Sequence, residues 1–199
     1  MQIIKVSSIK GGVGKSTISA YLSKYLSKRH KVLLIDADLI KYSGYIVKVF
    51  EGFWRLKRNL TVYEIEENDN IEKILKNNYE YAVVDCPPFP EIICNKIDSN
   101  IDIYVSDITS LDLLLQYVTN KKIKILVINM VPPFPEDLEQ ISEKIKNLDF
   151  NLKVVIPFIP KIFMSKFRDI ENSEIEIIEK MSNRIEKNSF NGEVISPLS

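Results

Sequence analysis

The chain has 199 residues with 27 basic and 27 acidic side chains, so its formal net charge is zero. Apolar residues make up 45% of the sequence, which excludes a disordered chain and supports a sizeable core. This length predicts one domain, spanning residues 1–199. Residues 1–66 carry 12 Lys or Arg against five Asp or Glu. That imbalance supports binding to a polyanion only weakly. A nucleotide-binding site by itself also favours a basic face, with no larger polyanion needed to explain it.

The sequence indicates neither a leader peptide nor a membrane span. Met1 leads directly into a strand pattern, and the apolar runs are far shorter than the roughly 18 residues that a spanning helix needs. The two cysteines, Cys86 and Cys94, do not suggest a disulfide framework. A reducing, cytoplasmic setting fits them best.

Apolar periodicity predicts strands that alternate with helices along the chain. Residues 41–66 are less regular, and the apolar runs 46–50 and 53–56 around Glu51-Gly52 suggest a hairpin. The last dozen residues are expected to fray. Strands are predicted at 3–6, 32–35, 81–85, 101–105, 123–129 and 153–156, and helices at about 16–29, 70–77, 90–97, 110–119, 136–147 and 162–187.

This alternation predicts an α/β fold with three layers, in which a mostly parallel, twisted sheet is covered by helices on both faces. In such a sheet the ligands bind at the carboxyl ends of the strands. The motifs that carry chemistry lie at those ends.

The stretch after the first strand carries the strongest signal in the chain. It comes close to the phosphate-binding pattern G-x-x-x-x-G-K-[ST], although Ile9 replaces the first glycine. Glycines let backbone N–H groups approach phosphate oxygens, and the following helix directs its positive end at the same anion. A glycine-rich turn without a ligand is the alternative. The stretch reads Ile9, Lys10, Gly11, Gly12, Val13, Gly14, Lys15, Ser16 and Thr17.

Two lysines flank this loop, and one lysine is enough to contact the phosphates of a nucleotide within a single subunit. Lys15 can reach the β- and γ-phosphates, and the Ser16 hydroxyl can ligate Mg²⁺. Lys10 is not needed for that task. One explanation is that Lys10 reaches a nucleotide held by a neighbouring copy of the protein.

The pattern K-G-G-V-G-K-[ST] resembles the deviant Walker A motif of the ParA/MinD family of dimerising ATPases. The resemblance covers about residues 2–170 and implies a P-loop fold, ATP with Mg²⁺ as cofactors, and a homodimer in the ATP state. In that family the lysine at the position of Lys10 crosses the dimer interface to the partner's phosphates. The resemblance thus assigns Lys10 and Lys15, with Asp38, to catalysis.

Three aspartates follow predicted strands. Asp85 precedes Cys-Pro-Pro, as in the family's Walker B strand, and is predicted to hold Mg²⁺, with a helix or turn cap as the alternative. Asp36 and Asp38 resemble the D-x-D of the first switch, although Leu39 and Ile40 replace the Pro-Gln and small residues usual there. The resemblance places Asp36 near the metal's hydration shell and Asp38 on the hydrolytic water. A solvated acidic turn is the alternative for this pair.

Asn129 and Pro157 follow the fifth and last predicted strands. In similar proteins an Asn and an Ile-Pro loop at these points frame the adenine. An Asn side chain can both donate to and accept from a base edge, or it can simply form a turn. No Asn-Lys-x-Asp guanine motif follows Asn129, so ATP is favoured over GTP.

Basic residues in two segments are candidates for nonspecific DNA contact. The first segment interleaves them with aromatic residues, and the second lies near the C-terminus, where short ParA-type proteins bind DNA. A solvated face is the alternative, since acidic residues share the second segment. The candidates are Arg55, Lys57, Arg58, Lys161, Lys166 and Arg168.

The most favoured function is a short ParA-type partition ATPase, because the chain begins at the first strand without a preceding helix-turn-helix. Such a protein would be nucleoid-associated and stimulated by a ParB-like, centromere-binding partner. The second hypothesis is a MinD-like membrane-associated positioner, with an apolar stripe over 175–185. The third is a nucleotide-binding assembly factor. A nitrogenase-type cluster on the cysteines has little support, because the glycine-rich surroundings of such cysteines are absent.

Overall fold

The computed structural model describes residues 1–51, 59–66, 69, 71–75, 78–88, 94, 97–119, 123–164 and 175–198. Its strands form one eight-stranded, open sheet in which every neighbouring pair is parallel. The strand order is β3-β2-β4-β1-β5-β6-β7-β8. This confirms the predicted α/β class and its parallel sheet.

The described elements have the following bounds. The strands are β1 Gln2–Ser7, β2 Val32–Asp36, β3 Leu60–Glu64, β4 Tyr81–Asp85, β5 Ile101–Ser106, β6 Ile123–Val131, β7 Leu152–Pro157 and β8 Val194–Ile195. The helices are α1 Lys15–Leu26, α2 Tyr42–Glu51, α3 Ile71–Leu75, α4 Leu111–Leu115, α5 Pro135–Lys146, α6 Pro160–Met164 and α7 Glu176–Glu186.

The central strands are buried on both faces because helices cover the sheet on each side. All five residues of β2 and of β4 are buried, as expected for strands in a parallel sheet. One face, with Ile4 and Val6, packs against α1 and α7. The other face carries two separate apolar clusters, one around Leu126 and Ile141 and one around Leu33 and Val84.

The register of the central strands brings the predicted site together at one edge of the sheet. Asp36 at the end of β2 lies directly opposite Asp85 at the end of β4, and Asp85 lies opposite Val6 on β1. The glycine-rich loop leaves β1 one residue beyond Ser7. All three chain segments therefore meet at the carboxyl ends of adjacent strands.

The predicted hairpin around Glu51-Gly52 is wrong in its first half, which forms helix α2. Ile46 and Val47 are fully buried in the core that α1 shares with the sheet. The Gly44 N–H in the first turn of α2 donates to the Asp36 carboxylate at 2.8 Å, which satisfies one of the free N–H groups of the helix start. The second half of the predicted hairpin, residues 53–56, lies outside the described residues.

Two edges of the sheet differ from the prediction. Strand β3 was not predicted, although Leu60 to Glu64 alternates as a half-buried edge strand does. The tail does not fray: β8 pairs with β7, and Gly192 N donates to Asn151 O at 2.8 Å. The Lys153 ammonium also donates to Gly192 O at 2.6 Å, which fixes the approach of the tail.

The cysteines also differ from the prediction. The sulfurs of Cys86 and Cys94 form a disulfide between Cα atoms 6.0 Å apart. Both residues are buried in the cluster around Leu33 and Val84. The bond ties the residue after Asp85 to a segment eight residues further along the chain.

Candidate functional site: a phosphate loop with two buried carboxylates

The phosphate loop is held in shape by two glycines with left-handed backbones. Gly12 and Gly14 have φ values of 79° and 93°, which disfavour any residue with a Cβ. Gly14 caps α1, and its carbonyl accepts the first helical bond from Ile18 at 3.0 Å. The N–H groups at the start of α1 are thus directed at the space beside the loop, where an anion is favoured.

Asn129 supports the loop from the neighbouring part of the sheet. Its Nδ2 donates to the Val13 carbonyl at 2.9 Å. A Cβ placed on Gly14 would lie 2.3 Å from the same Nδ2 atom. Asn129 therefore determines which residue fits at position 14, in addition to any contact with a base.

The loop borders a cleft of about 820 Å³, a volume in the range of small-molecule sites. The predicted phosphate-binding residues Gly11, Gly12, Gly14, Lys15, Ser16 and Thr17 line it, and so does Asp38. Ile162 and Met130 close one side. The lining residues are Gly11, Gly12, Gly14, Lys15, Ser16, Thr17, Asp38, Ile40, Tyr42, Tyr45, Pro88, Met130 and Ile162.

Asp85 has an oxygen that the described residues leave without a partner. Its Oδ1 accepts from the Ser19 hydroxyl at 3.2 Å, whereas Oδ2 is buried with no hydrogen bond within the described ranges. A buried, unpaired carboxylate oxygen is costly. Together with Asp36 across the register and Ser16 on the cleft wall, it forms the hard oxygen set that Mg²⁺ prefers.

Burial is the main reason that the pKa of the Asp85 carboxyl is raised to about 6. The nearby Ser16 hydroxyl lowers this pKa, the negative charge of Asp36 raises it, and the Lys15 ammonium and the Ser43 hydroxyl lower it. A divalent cation would reverse this effect, because it favours the ionised form. Binding of a cation beside this carboxylate pair is therefore electrostatically favoured.

Asp36 and Asp38 have different surroundings, although only one residue separates them. Strand β2 ends at Asp36, so the alternation of side chains stops there. Asp36 is fully buried and accepts from the Gly44 and Asp38 N–H groups. Asp38 is partly exposed and lines the cleft. Asp36 thus anchors α2, and Asp38 is the one that faces the site.

Lys10 does not line the cleft of its own subunit. Its ammonium lies 2.6 Å from Asp107 Oδ2, at the end of β5, and 3.3 Å from the Thr109 hydroxyl. The Lys10 side chain is 51% exposed. The two lysines of the motif therefore have different surroundings, since Lys15 is buried at the cleft wall.

The region predicted to frame adenine is closed in this conformation. Asn129 and Pro157 do lie together, beside Gly14 and Thr17. The pocket between them has a volume of only about 40 Å³, and Ile159 and Ile162 help to close it. This volume is far smaller than that of a purine ring system.

Most of the predicted DNA contacts, namely Arg55, Lys57, Arg58, Lys166 and Arg168, lie outside the described residues. Lys161 is exposed on α6.

Two kinds of site residue were missed by sequence reasoning. Asp107 follows β5 at the same edge of the sheet as the loop, and that position was a usable signal. Tyr42 and Tyr45 stack with ring centroids 6.1 Å apart at the rim of the cleft. They were missed because residues 41–66 were read as irregular, so no helix was predicted there to place the two rings on a common face.

We expect Gly14→Ala to lower the affinity for a fluorescent ATP analogue at least tenfold, because both the backbone angle and Asn129 oppose a Cβ there. The matched control is Gly11→Ala. A Cβ on Gly11 meets only Pro88, at 3.9 Å. The affinity of Gly11→Ala for the ATP analogue should therefore stay within about threefold of the wild-type value. Equal losses in the two variants would contradict the assigned geometry.

We expect Asp85→Asn to stabilise the protein in EDTA at pH 8, by up to about 3 kcal/mol for a pKa displacement near two units. Between about pH 4 and pH 6, the raised pKa means that Asp85 keeps its proton in the folded protein but has lost it in the unfolded chain. Wild-type stability therefore falls as the pH rises from about 4 to 6. The difference between the two proteins should vanish below pH 4, as measured by urea unfolding. A pH-independent difference would contradict this account.

Comparison with known proteins places these features in a family. The family model described as the CobQ/CobB/MinD/ParA nucleotide binding domain matches residues 4–195. A Tupiella akineta protein assigned as septum site-determining protein MinD is 33% identical over 122 residues, which span 43% of this chain and 39% of that protein. The maintenance of carboxysome distribution protein A of Halothiobacillus neapolitanus is 29% identical over 149 residues, 65% of this chain and 67% of that protein.

Solved structures show the same fold. The MinC:MinD complex of Aquifex aeolicus has a TM-score of 0.69 at 21% identity, covering 98% of this chain and 100% of that chain. A Borrelia burgdorferi B31 protein assigned to plasmid partition, bound to AMPPNP, has a TM-score of 0.65 at 22% identity, covering 93% and 97%. MinD of Pyrococcus horikoshii with Mg-ADP has a TM-score of 0.62 at 17% identity, covering 94% and 97%. The chain belongs to the CobQ/CobB/MinD/ParA nucleotide-binding domain family.

Proposed function

We propose that this chain is an ATPase that dimerises with ATP and acts in the partition of plasmid or chromosomal DNA. In the ATP state the dimer binds DNA nonspecifically and associates with the nucleoid. A ParB-like, centromere-binding partner stimulates hydrolysis and so releases the dimer. ATP is the substrate, and Mg²⁺ is the cofactor.

The observation that carries this proposal is the placement of Lys10. A basic side chain stands at the mouth of the phosphate loop, half-exposed, and turned away from the cleft of its own subunit. The local loop needs one lysine, and Lys15 supplies it from the buried wall. An exposed second lysine is then available to a nucleotide held by another copy.

The rim beside the loop supports self-association. Leu39 and Ile40 expose 84% and 79% of their surface, and Tyr45 exposes 47%. Ile40 and Tyr45 border the cleft itself. A group of exposed apolar residues around a ligand site is typical of an interaction surface. A second copy placed there would cover these residues and bring its Lys10 to the phosphates.

The other residues of the site would bind Mg²⁺, orient the attacking water and contact the phosphates. Ser16, Asp36 and Asp85 would hold Mg²⁺, the aspartates through water, and the cation would neutralise charge on the phosphates. Asp38 faces the cleft and would orient the attacking water. Gly11, Gly12, Val13, Gly14 and Thr17 would contribute the loop around the phosphates.

The structure weakens the MinD-like alternative. The predicted membrane stripe of Ile177, Ile178, Met181 and Ile185 is buried in the core beneath α7. These side chains cannot enter a bilayer while the helix stays packed. Within the ranges that the structure describes, no helix is both long and apolar enough to span a membrane.

The assembly-factor alternative also loses support. A shared metal cluster would need free thiolates from each subunit. Cys86 and Cys94 are bonded to each other and buried.

We expect Asp38→Ala to lower ATP turnover about 100-fold while leaving the ATP-dependent dimer intact, because the residue acts on the water and not on the phosphates. Lys15→Ala should abolish nucleotide binding, and Lys10→Ala should reduce turnover more than binding. Steady-state phosphate release and light scattering with ATP or ADP measure these effects. Asp112→Ala is the control, since its side chain is 85% exposed and is not among the residues that line the cleft. A wild-type protein that stays monomeric at saturating ATP would refute the proposal.

We expect a gel shift with random-sequence DNA in ATP and none in ADP, and the affinity should fall steeply with salt. Combined replacement of Lys161, Lys166 and Arg168 by Ala should weaken binding at least tenfold. Replacing the exposed Lys144 and Lys146 on α5 by Ala serves as the control. Sedimentation with anionic vesicles in ATP tests the alternative: vesicle binding without DNA binding would favour the MinD-like function.

A further inference from the structure

The residues that follow Asp38 form a tight turn at the rim of the cleft. The Lys41 N–H donates to the Asp38 carbonyl at 3.2 Å, so Asp38 is the first residue of this turn and Lys41 is the last. The Ile40 N–H also donates to the Asp38 carboxylate, at 3.4 Å. Leu39 and Ile40 between them are largely exposed, so apolar packing does little to fix the turn. The position of Asp38 therefore depends on how the ends of the turn are held.

Lys41 fastens the end of this turn to the sheet with its side chain. Its ammonium donates to the Ile65 carbonyl at 2.5 Å and to the Asp36 carbonyl at 3.2 Å. Asp36 is the last residue of β2, and Ile65 directly follows the last residue of the neighbouring strand β3. Hydrogen bonds from a charged donor are stronger than those between neutral groups. One charged side chain thus joins the carboxyl ends of two strands to the turn that carries Asp38.

The backbone of Lys41 adopts a conformation that has a local cost. Its φ value is 53°, in the left-handed region that residues with a Cβ rarely adopt. Glycine is the residue favoured at the last position of the commonest tight turn. A strained backbone of this kind persists only where the surrounding contacts impose it, and such positions cluster at functional sites. The two hydrogen bonds of the Lys41 ammonium are contacts of that kind.

We propose that Lys41 is a positioning residue, which fixes the Asp38 carboxylate at the cleft for its action on the attacking water. The inference rests on the proposed function, because it takes the role of Asp38 from there. Asp38 lines the cleft, whereas Lys41 is not among the described residues that do so. Lys41 therefore acts on turnover through the turn and not by contact with the nucleotide.

The test compares Lys41→Met with Lys41→Arg in the full chain, by steady-state phosphate release. Lys41→Met keeps most of the aliphatic side chain but loses the donors. Its kcat should fall about tenfold, while the KM for ATP stays within about twofold of the wild-type value. Lys41→Arg keeps charged N–H donors for the two carbonyls, so its kcat should stay within about threefold of the wild-type value.

Lys48→Met is the matched control. Lys48 pairs with the Glu64 carboxylate at the end of β3, but it lies on α2 beyond the turn. Its replacement removes a lysine from the same region and leaves the Lys41 contacts in place. The kcat of Lys48→Met should stay within about twofold of the wild-type value.

Lys41→Gly separates the effect of the side chain from that of the backbone. Glycine accepts the left-handed conformation without strain, but it has no ammonium to hold the turn. The kcat of Lys41→Gly should therefore fall about as far as that of Lys41→Met. Urea unfolding establishes that each variant is folded under the assay conditions.

A double-mutant cycle tests whether Lys41 acts through Asp38. In the Asp38→Ala background, Lys41→Met should lower the remaining single-turnover rate by less than about twofold. Hydrogen exchange in the nucleotide-free protein gives a readout that needs no hydrolysis. Exchange over residues 38–45 should be at least about fivefold faster in Lys41→Met than in wild type or Lys41→Arg, and exchange over α1 should not change.

Four results would overturn the inference: unchanged kcat in Lys41→Met, full activity in Lys41→Gly, an equal loss in the Asp38→Ala background, or unchanged exchange over residues 38–45. A wild-type protein without ATP turnover would instead refute the proposed function. In that case faster exchange in Lys41→Met would still show that the Lys41 side chain holds the turn.

Discussion

Strands β1, β2 and β4 lie side by side in register, and this parallel pairing determines where each candidate side chain lies. Asp36 and Asp85 end adjacent strands at the same level, two strands and one strand away, respectively, from the strand that leads into the glycine-rich loop. Two buried carboxylates so placed repel one another, and the burial of Asp85 adds to the cost. The positive end of α1 and the Lys15 ammonium partly offset that cost. The sheet thus creates a negative pair that a cation and a phosphate together can satisfy.

Local patterns predicted the glycine-rich loop, the central strands and the position of Asp85 at the end of a strand because those features depend on short stretches of sequence. Gly14 needs a left-handed backbone, and Asp85 ends an unbroken apolar run. Elements whose structure depends on distant partners were harder to predict. The fold of α2 depends on a bond from Gly44 to Asp36 and on burial of Ile46, neither of which is visible in residues 41–56 alone.

Contacts between side chains distant in sequence were not predictable. Lys10 and Asp107 are 97 residues apart, and Asn129 and Val13 are 116 residues apart. Each pair meets because β1 lies beside β5 and β5 beside β6, an order that periodicity does not give. The disulfide was missed for a similar reason, since eight residues of spacing say nothing of a 6.0 Å approach between Cα atoms. Long-range order, and not local propensity, limited the prediction.

Helix α7 is anchored along α1, the helix that starts at the phosphate loop. Met181 and Ile185 enter the shared core, and Glu179 and Glu186 form ion pairs with Lys28 and Arg29 just beyond the C-terminal end of α1. A 12-residue helix is a stiff rod of about 18 Å. Helix α7 therefore packs along the same helix whose first residues, Lys15 and Ser16, line the cleft.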